Sequence, residues 1–336
     1  MNEAAGITID CYLDGSSLDS MAADVRAGLS RKGLKMLPPK YFYDDRGSEL
    51  FDQITSLPEY YPTRCERSIL NRRAPEIVEI TGARELLELG SGMASKTRAL
   101  LFAMAGAGSL ERYLPVDVSE LVVERCAEEL VEMYPGLRVH GVVGDFEQHL
   151  EHVPSGEARL VAFLGGTIGN LYPDERAPFL RDMRGLMGPD GWLVLGTDLV
   201  KDPATLEAAY NDSAGVTAEF NRNVLHAINR ELDADFDVDA FEHVAFWNEL
   251  DSWVEMRLRA HGEQRVTIAG ADLRLELGDG EEIRTEVSTK FTRERLEEEL
   301  AGAGMELEAF FTDDDGLFGL SLARAQGHRP QATGNR

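Results

Sequence analysis

Cysteine is scarce in this chain. The 336 residues hold three, Cys11, Cys65 and Cys126, widely spaced and without a CxxC pair. That pattern argues against a disulfide framework or a structural zinc site, and each thiol reads as a small packing residue. Long apolar runs are lacking too: no stretch approaches the roughly 20 residues that span a bilayer. The first turns of sequence carry Asp10, Asp14, Asp19 and Asp24 and no apolar run with a cleavage site, which argues against a secretory signal. The expected compartment is the cytoplasm, with no membrane partner.

Positive charge is in short supply. Lys and Arg total 34 against 60 Asp and Glu, a formal charge of −26. Such a surface repels phosphate backbones, because nucleic-acid binding depends on cationic side chains releasing counterions. No nucleic-acid partner is expected, and the acidity reads as solubility. Familiar motifs are missing as well. There is no GxSxG and no P-loop. DADFDVD (233–239) has Val238 and Val244 where a calcium loop needs glycine and a bidentate glutamate. His149 and His152 lack a third ligand at convincing spacing, so no metal is expected.

What is present is a pattern of alternation. From residue 85, β-rich runs alternate with helical ones: ELLELGS, RYLPVDV, RVHGVVGDF, RLVAFLGGT and GWLVLGTDL read as five strands. Crossover helices between them argue for parallel βαβ units, whose ligands sit beyond the C-terminal strand ends. Residues 201–290 break the rhythm, first helical and then strand-like in WVEMRLRAH, ADLRLEL and EEIRTEVSTKF. A late helix and strand pair then close the chain, as in the seven-stranded methyltransferase sheet, an analogy at fold level.

The first strand runs into Glu88-Leu89-Gly90-Ser91-Gly92. Glycines there let a ligand approach the backbone closely. Ser95 stands where a dinucleotide fingerprint has its third glycine, which weakens a nicotinamide reading. Glu88 is placed to accept from the cationic amino-acid end of S-adenosylmethionine. Asp117 closes the second strand, where a carboxylate can accept ribose hydroxyls. Asp145 closes the third, where it can accept the adenine amino group while Phe146 borders the ring. Taken singly, either aspartate also reads as a strand-end or helix-capping residue.

Longer strings carry more information. LPPKYFYDDRGSELFDQITSLPEYYPTR, ELGSGMASKTRALL, GDFEQHL, FLGGTIGNLYP, LGTDLVKD, AGVTAEFNRNVLHAINREL and TEVSTKF resemble the histidine-specific N-alpha-methyltransferases of ergothioneine biosynthesis, which convert histidine to its trimethylated betaine, hercynine. The resemblance runs from about Leu18 to Arg324. It implies an α/β fold: a Rossmann-like seven-stranded class I methyltransferase domain with an inserted α+β substrate-binding domain. The expected boundaries are 65–200 and 290–325 for the methyltransferase part, and 18–64 and 201–289 for the substrate part. Residues 1–17 and 326–336 are expected to be flexible termini.

The resemblance also implies roles. Tyr43, Gly90, Lys96, Asp117, Asp145 and Phe146 match cofactor positions, joined by Glu88 and Gly92 of the glycine turn. Tyr60, Asn170, Tyr210, Glu286 and Ser288 match histidine contacts, and Met256 lines the same pocket. Glu286, supported by Ser288, accepts from one imidazole nitrogen and Tyr60 engages the other. Tyr43 and Asn170 orient the amine, with no dedicated general base. Without the resemblance, the tyrosines read as domain packing and Glu286 as a solvent-facing strand residue. Two departures, the pair Asp45-Arg46 and Thr289, touch no expected contact. The implied partners are S-adenosylmethionine and free L-histidine, acted on by a monomer. The competing readings are a methyltransferase for another amino acid or a tryptophan-derived amine, and a non-catalytic binding module. An indole has one donor and no ring acceptor, so retention of both Glu286 and Ser288 favours imidazole. Asp145→Ala is expected to weaken S-adenosylmethionine binding in calorimetry; wild-type affinity would remove Asp145 from the cofactor site.

Overall fold

A computed structural model of the chain describes residues 6–13, 17–146 and 148–327. In chain order, strand β1 (Ile7–Cys11), helix α1 (Ser17–Leu29), strand β2 (Lys35–Met36) and helices α2 (Asp45–Thr55) and α3 (Pro62–Thr81) come first. The alternating part follows as β3 (Glu85–Leu89), α4 (Arg98–Gly106), β4 (Arg112–Asp117), α5 (Glu120–Met133), β5 (Arg138–Val143), β6 (Arg159–Phe163), α6 (Pro173–Met187) and β7 (Trp192–Asp198). Next come α7 (Pro203–Tyr210), α8 (Val216–Glu231), β8 (Phe241–Asn248), β9 (Trp253–Ala260), β10 (Gln264–Ile268), β11 (Leu273–Leu277) and β12 (Glu282–Thr289). The chain closes with α9 (Arg293–Gly302), β13 (Met305–Thr312) and β14 (Phe318–Ala325).

The large sheet has the order β1-β5-β4-β3-β6-β7-β14-β13. Its first six strands are parallel, and β14 pairs antiparallel with both β7 and β13. Every residue of β3, β6 and β7 is buried, as expected of strands covered by helices on both faces. The strand order reverses between β4-β3 and β6-β7, and that switch point is where open α/β sheets bind ligands. Seven of the strands form the expected Rossmann-like class I methyltransferase sheet. The eighth corrects the reading of residues 1–17 as a flexible end: Ile7–Cys11 pairs parallel with Val139–Val143 along the sheet edge. The remainder of that stretch, except residues 6, 12, 13 and 17, lies outside the described residues, as do 328–336 of the expected carboxy-terminal tail.

A second sheet, β2-β12-β9-β8, stands over this switch point, with β10 and β11 as a separate hairpin. One apolar core fills it. Met21, Val25, Leu37, Phe42 and Ile54 from the amino-terminal segment share that core with Phe220, Val224, Leu258 and Ile283. The short β2 adds to β12 in parallel, so the early segment is held by backbone as well as by packing. No helix among the described residues is long and apolar enough to cross a membrane. Ile283 is fully buried here while Leu250, in the β8–β9 turn, is 93% exposed. Ile283→Ala is therefore expected to cost about 2–5 kcal/mol in urea unfolding, and Leu250→Ala to stay within about 0.5 kcal/mol. Equal losses would contradict this core.

Candidate active site

Three strand ends meet beside the glycine turn. Gly90 and Gly92 adopt φ of 68° and 49°, the left-handed region that glycine enters without strain. The Gly92 N–H donates to Asp117 Oδ2 at 2.8 Å, and Ser119 N–H donates to Oδ1 at 3.1 Å. Asp117 thus fixes the turn against the end of β4. A Cβ on Gly90 would lie 4.0 Å from the Phe146 ring, so the turn and the residues after β5 border one space. Phe146 packs on Phe163 and Phe179 with ring centres 5.5 and 5.9 Å away. Asp145 accepts from Gln148 at 3.2 Å, and its own N–H donates to His149 Nδ1 at 3.0 Å.

One Glu88 carboxylate oxygen accepts from Thr97 and the other from Tyr113 at 2.5 Å, and the side chain is buried. Burial lifts its carboxyl to about 7 in spite of those two bonds. It braces the glycine turn from within the core. Lys96 is tied differently: its Nζ donates to Glu66 Oε2 at 2.7 Å, while Glu66 Oε1 accepts from the Gly165 N–H at 2.7 Å. Glu66, fully buried on α3, so links the cofactor turn to the loop after β6.

That loop opens onto a cleft of about 630 Å3, part of it open to solvent, lined by Tyr43, Tyr60, Asn170, Tyr210, Met256, Glu286 and Ser288 together with Phe51 and Phe220. All six expected substrate residues, and Tyr43 of the expected cofactor set, therefore line one cleft. Tyr43 sits between a one-turn 3-10 helix (Pro39–Phe42) and the α2 cap Asp44. Asp44 accepts from Gly47 N–H at 2.8 Å, Asn223 at 2.7 Å and Arg230 at 2.9 Å. A Cβ on Gly47 would lie 1.6 Å from the Phe42 carbonyl oxygen, so this corner requires glycine. Asn170 ends the turn Thr167–Asn170. Its neighbour Gly169 would, with a Cβ, come within 2.8 Å of the Thr289 carbonyl, and its bareness lets the turn lie against β12.

On β12 the register with β9 shifts between Arg284 and Glu286. A bulge of this kind re-aims side chains, and Thr285 secures it by donating to Asn221 at 2.6 Å. Beyond it Glu286, Ser288 and Lys290 alternate onto one face. Ser288 Oγ accepts from Tyr210 at 2.7 Å and from Lys290 at 2.8 Å. Lys290, fully buried, also donates to Tyr210 at 2.8 Å and pairs with Asp198 at 2.9 Å. Asp198 in turn holds Lys201 at 2.6 Å and Tyr61 at 2.8 Å. Burial raises the Asp198 carboxyl, but the charges of Lys290 and Lys201 outweigh it and hold the group below its ordinary value. Burial pushes Lys201 down to about 8. Tyr61 read only as a packing tyrosine, and Glu66, Asp198, Lys201 and Lys290 escaped the sequence reading. The signal of the last three is charge beside apolar strand runs, and that of Glu66 is a carboxylate on the face of a helix that the fold buries. The two departures lie apart from this cleft: Arg46 pairs with Glu219 at 3.3 Å, and Thr289 accepts from Arg176 at 3.2 Å.

Glu286 is different in kind. It is 9% exposed and has no hydrogen-bond or ion-pair partner among the described residues. Burial pushes its carboxyl up to about 7 from 4.5, opposed by Lys290. Between those values the folded protein holds a proton that the unfolded chain has lost. Its contribution to stability is thus fully present below the unfolded value and lost as pH rises through the folded one. At about 1.4 kcal/mol per unit this amounts to roughly 2–4 kcal/mol. Glu286→Gln is expected to gain that much on the wild type between about pH 5 and 7.5 in urea unfolding; parallel pH profiles would refute the buried carboxyl.

A family model described as histidine-specific, S-adenosylmethionine-dependent methyltransferase matches residues 21–325. The histidine N-alpha-methyltransferase of Mycobacterium tuberculosis is 53% identical over 304 residues, 90% of this chain and 94% of that protein. The protein of the same name from Mycolicibacterium smegmatis is 53% identical over 308 residues, 92% of this chain and 96% of its own length. Ergothioneine biosynthesis protein 1 of Neurospora crassa is 29% identical over 301 residues, 88% of this chain but 34% of that protein. With the glycine turn, the switch-point cleft and these likenesses in agreement, the chain belongs to the histidine-specific, S-adenosylmethionine-dependent methyltransferases.

Proposed function

We propose that this protein transfers three methyl groups to the α-amino group of free L-histidine, giving hercynine and S-adenosylhomocysteine, the first step towards ergothioneine. The observation that carries the histidine assignment is the buried, unpartnered Glu286 beside Ser288 in the cleft. A buried carboxylate without a donor is costly, and an imidazole N–H supplies one. Residues 65–200 and 290–325 would bind the methyl donor, and 18–64 with 201–289 the amino acid. The expected setting is a monomer in the cytoplasm, free of nucleic acid and metal.

The glycine turn fits S-adenosylmethionine: its backbone is bare beside Phe146, with Asp117 and Asp145 at the neighbouring strand ends. Tyr43, Gly90, Gly92, Lys96, Asp117, Asp145 and Phe146 would hold it. Bound there, it supplies an activated methyl group on a sulfonium. The chain's own task is alignment and exclusion of water. Tyr43 and Asn170 orient the amine, Asn170 and Tyr210 fix the carboxylate and amine end, and Met256 closes the pocket wall. An α-amino group near pKa 8 is partly neutral at pH 7, so water suffices to remove its proton. Aromatic rings at the cleft, Phe51 and Phe220 beside Tyr43, suit the quaternary ammonium that forms. Glu286 accepts from one ring nitrogen and Tyr60 serves the other. A ligand without those nitrogens leaves each neutral partner unpaired, at about 1–3 kcal/mol.

The test is mass spectrometry of purified protein with S-adenosylmethionine and an equimolar mixture of amino acids. The expected outcome is a gain of three methyl groups on histidine alone. Methylation of tryptophan or another amine would keep the fold and overturn the assignment of Glu286; no methylation at all would favour a binding module.

A further inference from the structure

The trio Lys290, Tyr210 and Ser288 fixes more than packing. Lys290 Nζ has three acceptors at hydrogen-bond distance, Asp198 at 2.9 Å and the Tyr210 and Ser288 hydroxyl oxygens at 2.8 Å each. An ammonium has three N–H donors and no lone pair, so this set consumes it completely. The two hydroxyls are themselves 2.7 Å apart. One hydrogen lies between them and one is left over. Tyr210 donates and the Ser288 oxygen accepts. That oxygen then receives hydrogen bonds from both Lys290 and Tyr210, and its two lone pairs are spent.

We infer that Lys290 is a positioning residue that turns the Ser288 hydroxyl hydrogen into the cleft, so that Ser288, in place of Tyr60, is the donor to the second ring nitrogen, Glu286 stays the acceptor at the first, and the site selects the neutral form of an imidazole. The inference rests on the histidine reading of this cleft. Residues two apart on a strand are separated by about 6.6 Å. Both side chains line the same cleft from one face of β12, as a donor–acceptor pair. A neutral ring matches it, with N–H towards Glu286 and lone pair towards Ser288. A protonated ring sets N–H against the Ser288 O–H, where the serine oxygen has no lone pair to offer. Lys290 would act through Ser288 and Tyr210 and touch no substrate atom.

The direct test needs only the wild-type protein. Histidine labelled with 15N in the ring is bound in the presence of S-adenosylhomocysteine, which cannot donate a methyl group, and observed by NMR near pH 6. Free imidazole is largely protonated there. One protonated and one pyridine-like nitrogen in the bound ring is the expected result. Two protonated nitrogens would overturn the inference while leaving histidine as the ligand. No bound histidine would overturn the histidine reading and this inference together. A second test measures kcat/KM for histidine against each pyrrolylalanine isomer, which keep an N–H and replace the acceptor nitrogen by CH. Wild type should prefer histidine by about tenfold or more. Ser288→Ala should erase most of that ratio, and Lys290→Met should bring it within about threefold of Ser288→Ala. A role confined to packing lowers both substrates alike and leaves the ratio at the wild-type value, which would exclude Lys290 as the orienting residue.

Discussion

The buried carboxylate of Asp198 is the point on which the two halves of the molecule depend. It ends β7 of the parallel sheet, yet its partners come from three other places: Tyr61 at the start of α3, Lys201 just downstream, and Lys290 at the end of β12. Backbone bonds reinforce the junction, with Phe291 N–H donating to the Asp198 carbonyl at 2.9 Å. Desolvating such a cluster costs several kcal/mol per ion, and that cost is offset only when every donor and acceptor is used. Here the set is complete. One consequence is rigidity: Lys290 cannot serve Asp198 without also fixing Tyr210 and Ser288, and so the sheet's end determines how the cleft is lined.

A similar strut operates on the other side of the cleft. Glu66 takes Lys96 from the glycine turn and the Gly165 N–H from the loop after β6, so α3 spaces the donor side from the acceptor side. Gly165 and Gly166 sit at φ of 84° and 72°, and a Cβ on Gly165 would come 3.2 Å from Lys96 Nζ. Close approach at this corner is what allows one loop to face both sites. In-line transfer tolerates little misplacement, and two buried acids, one at the end of β7 and one on α3, supply that constancy better than loop packing would.

Much of this was readable in advance, for unequal reasons. The strands β3 to β7 announce themselves because strands covered on both faces must be continuously apolar. β1 was hidden. A five-residue stretch next to the terminus carries no signal that its partner is Ile7↔Val139, far along the chain. Glu88 carries an ambiguous signal because a carboxylate before a glycine turn looks the same whether it faces a ligand or the core; the fold supplies it with Thr97 and Tyr113. Tyr60, Tyr210 and Glu286 were found through family likeness, since a tyrosine or a strand glutamate alone has a more ordinary explanation. Asp198 and Lys290 had no such help, and their meaning appears only when two distant strand ends are joined.

Glu286 and Asp198 show why a carboxylate's burial does not by itself say what it does. Both are nearly inaccessible. Asp198 is held below its ordinary value by two ammonium groups, so its charge is a structural fixture. Glu286 has a single distant ammonium opposing its burial and rises to about 7. A fold optimised for stability alone would replace such a group by an apolar one. On the proposed reading the missing donor arrives with a ligand, which then stabilises the folded state by mass action. On that reading, stability relinquished by the empty protein at Glu286 is returned on binding by a ligand whose ring brings a hydrogen to that carboxylate.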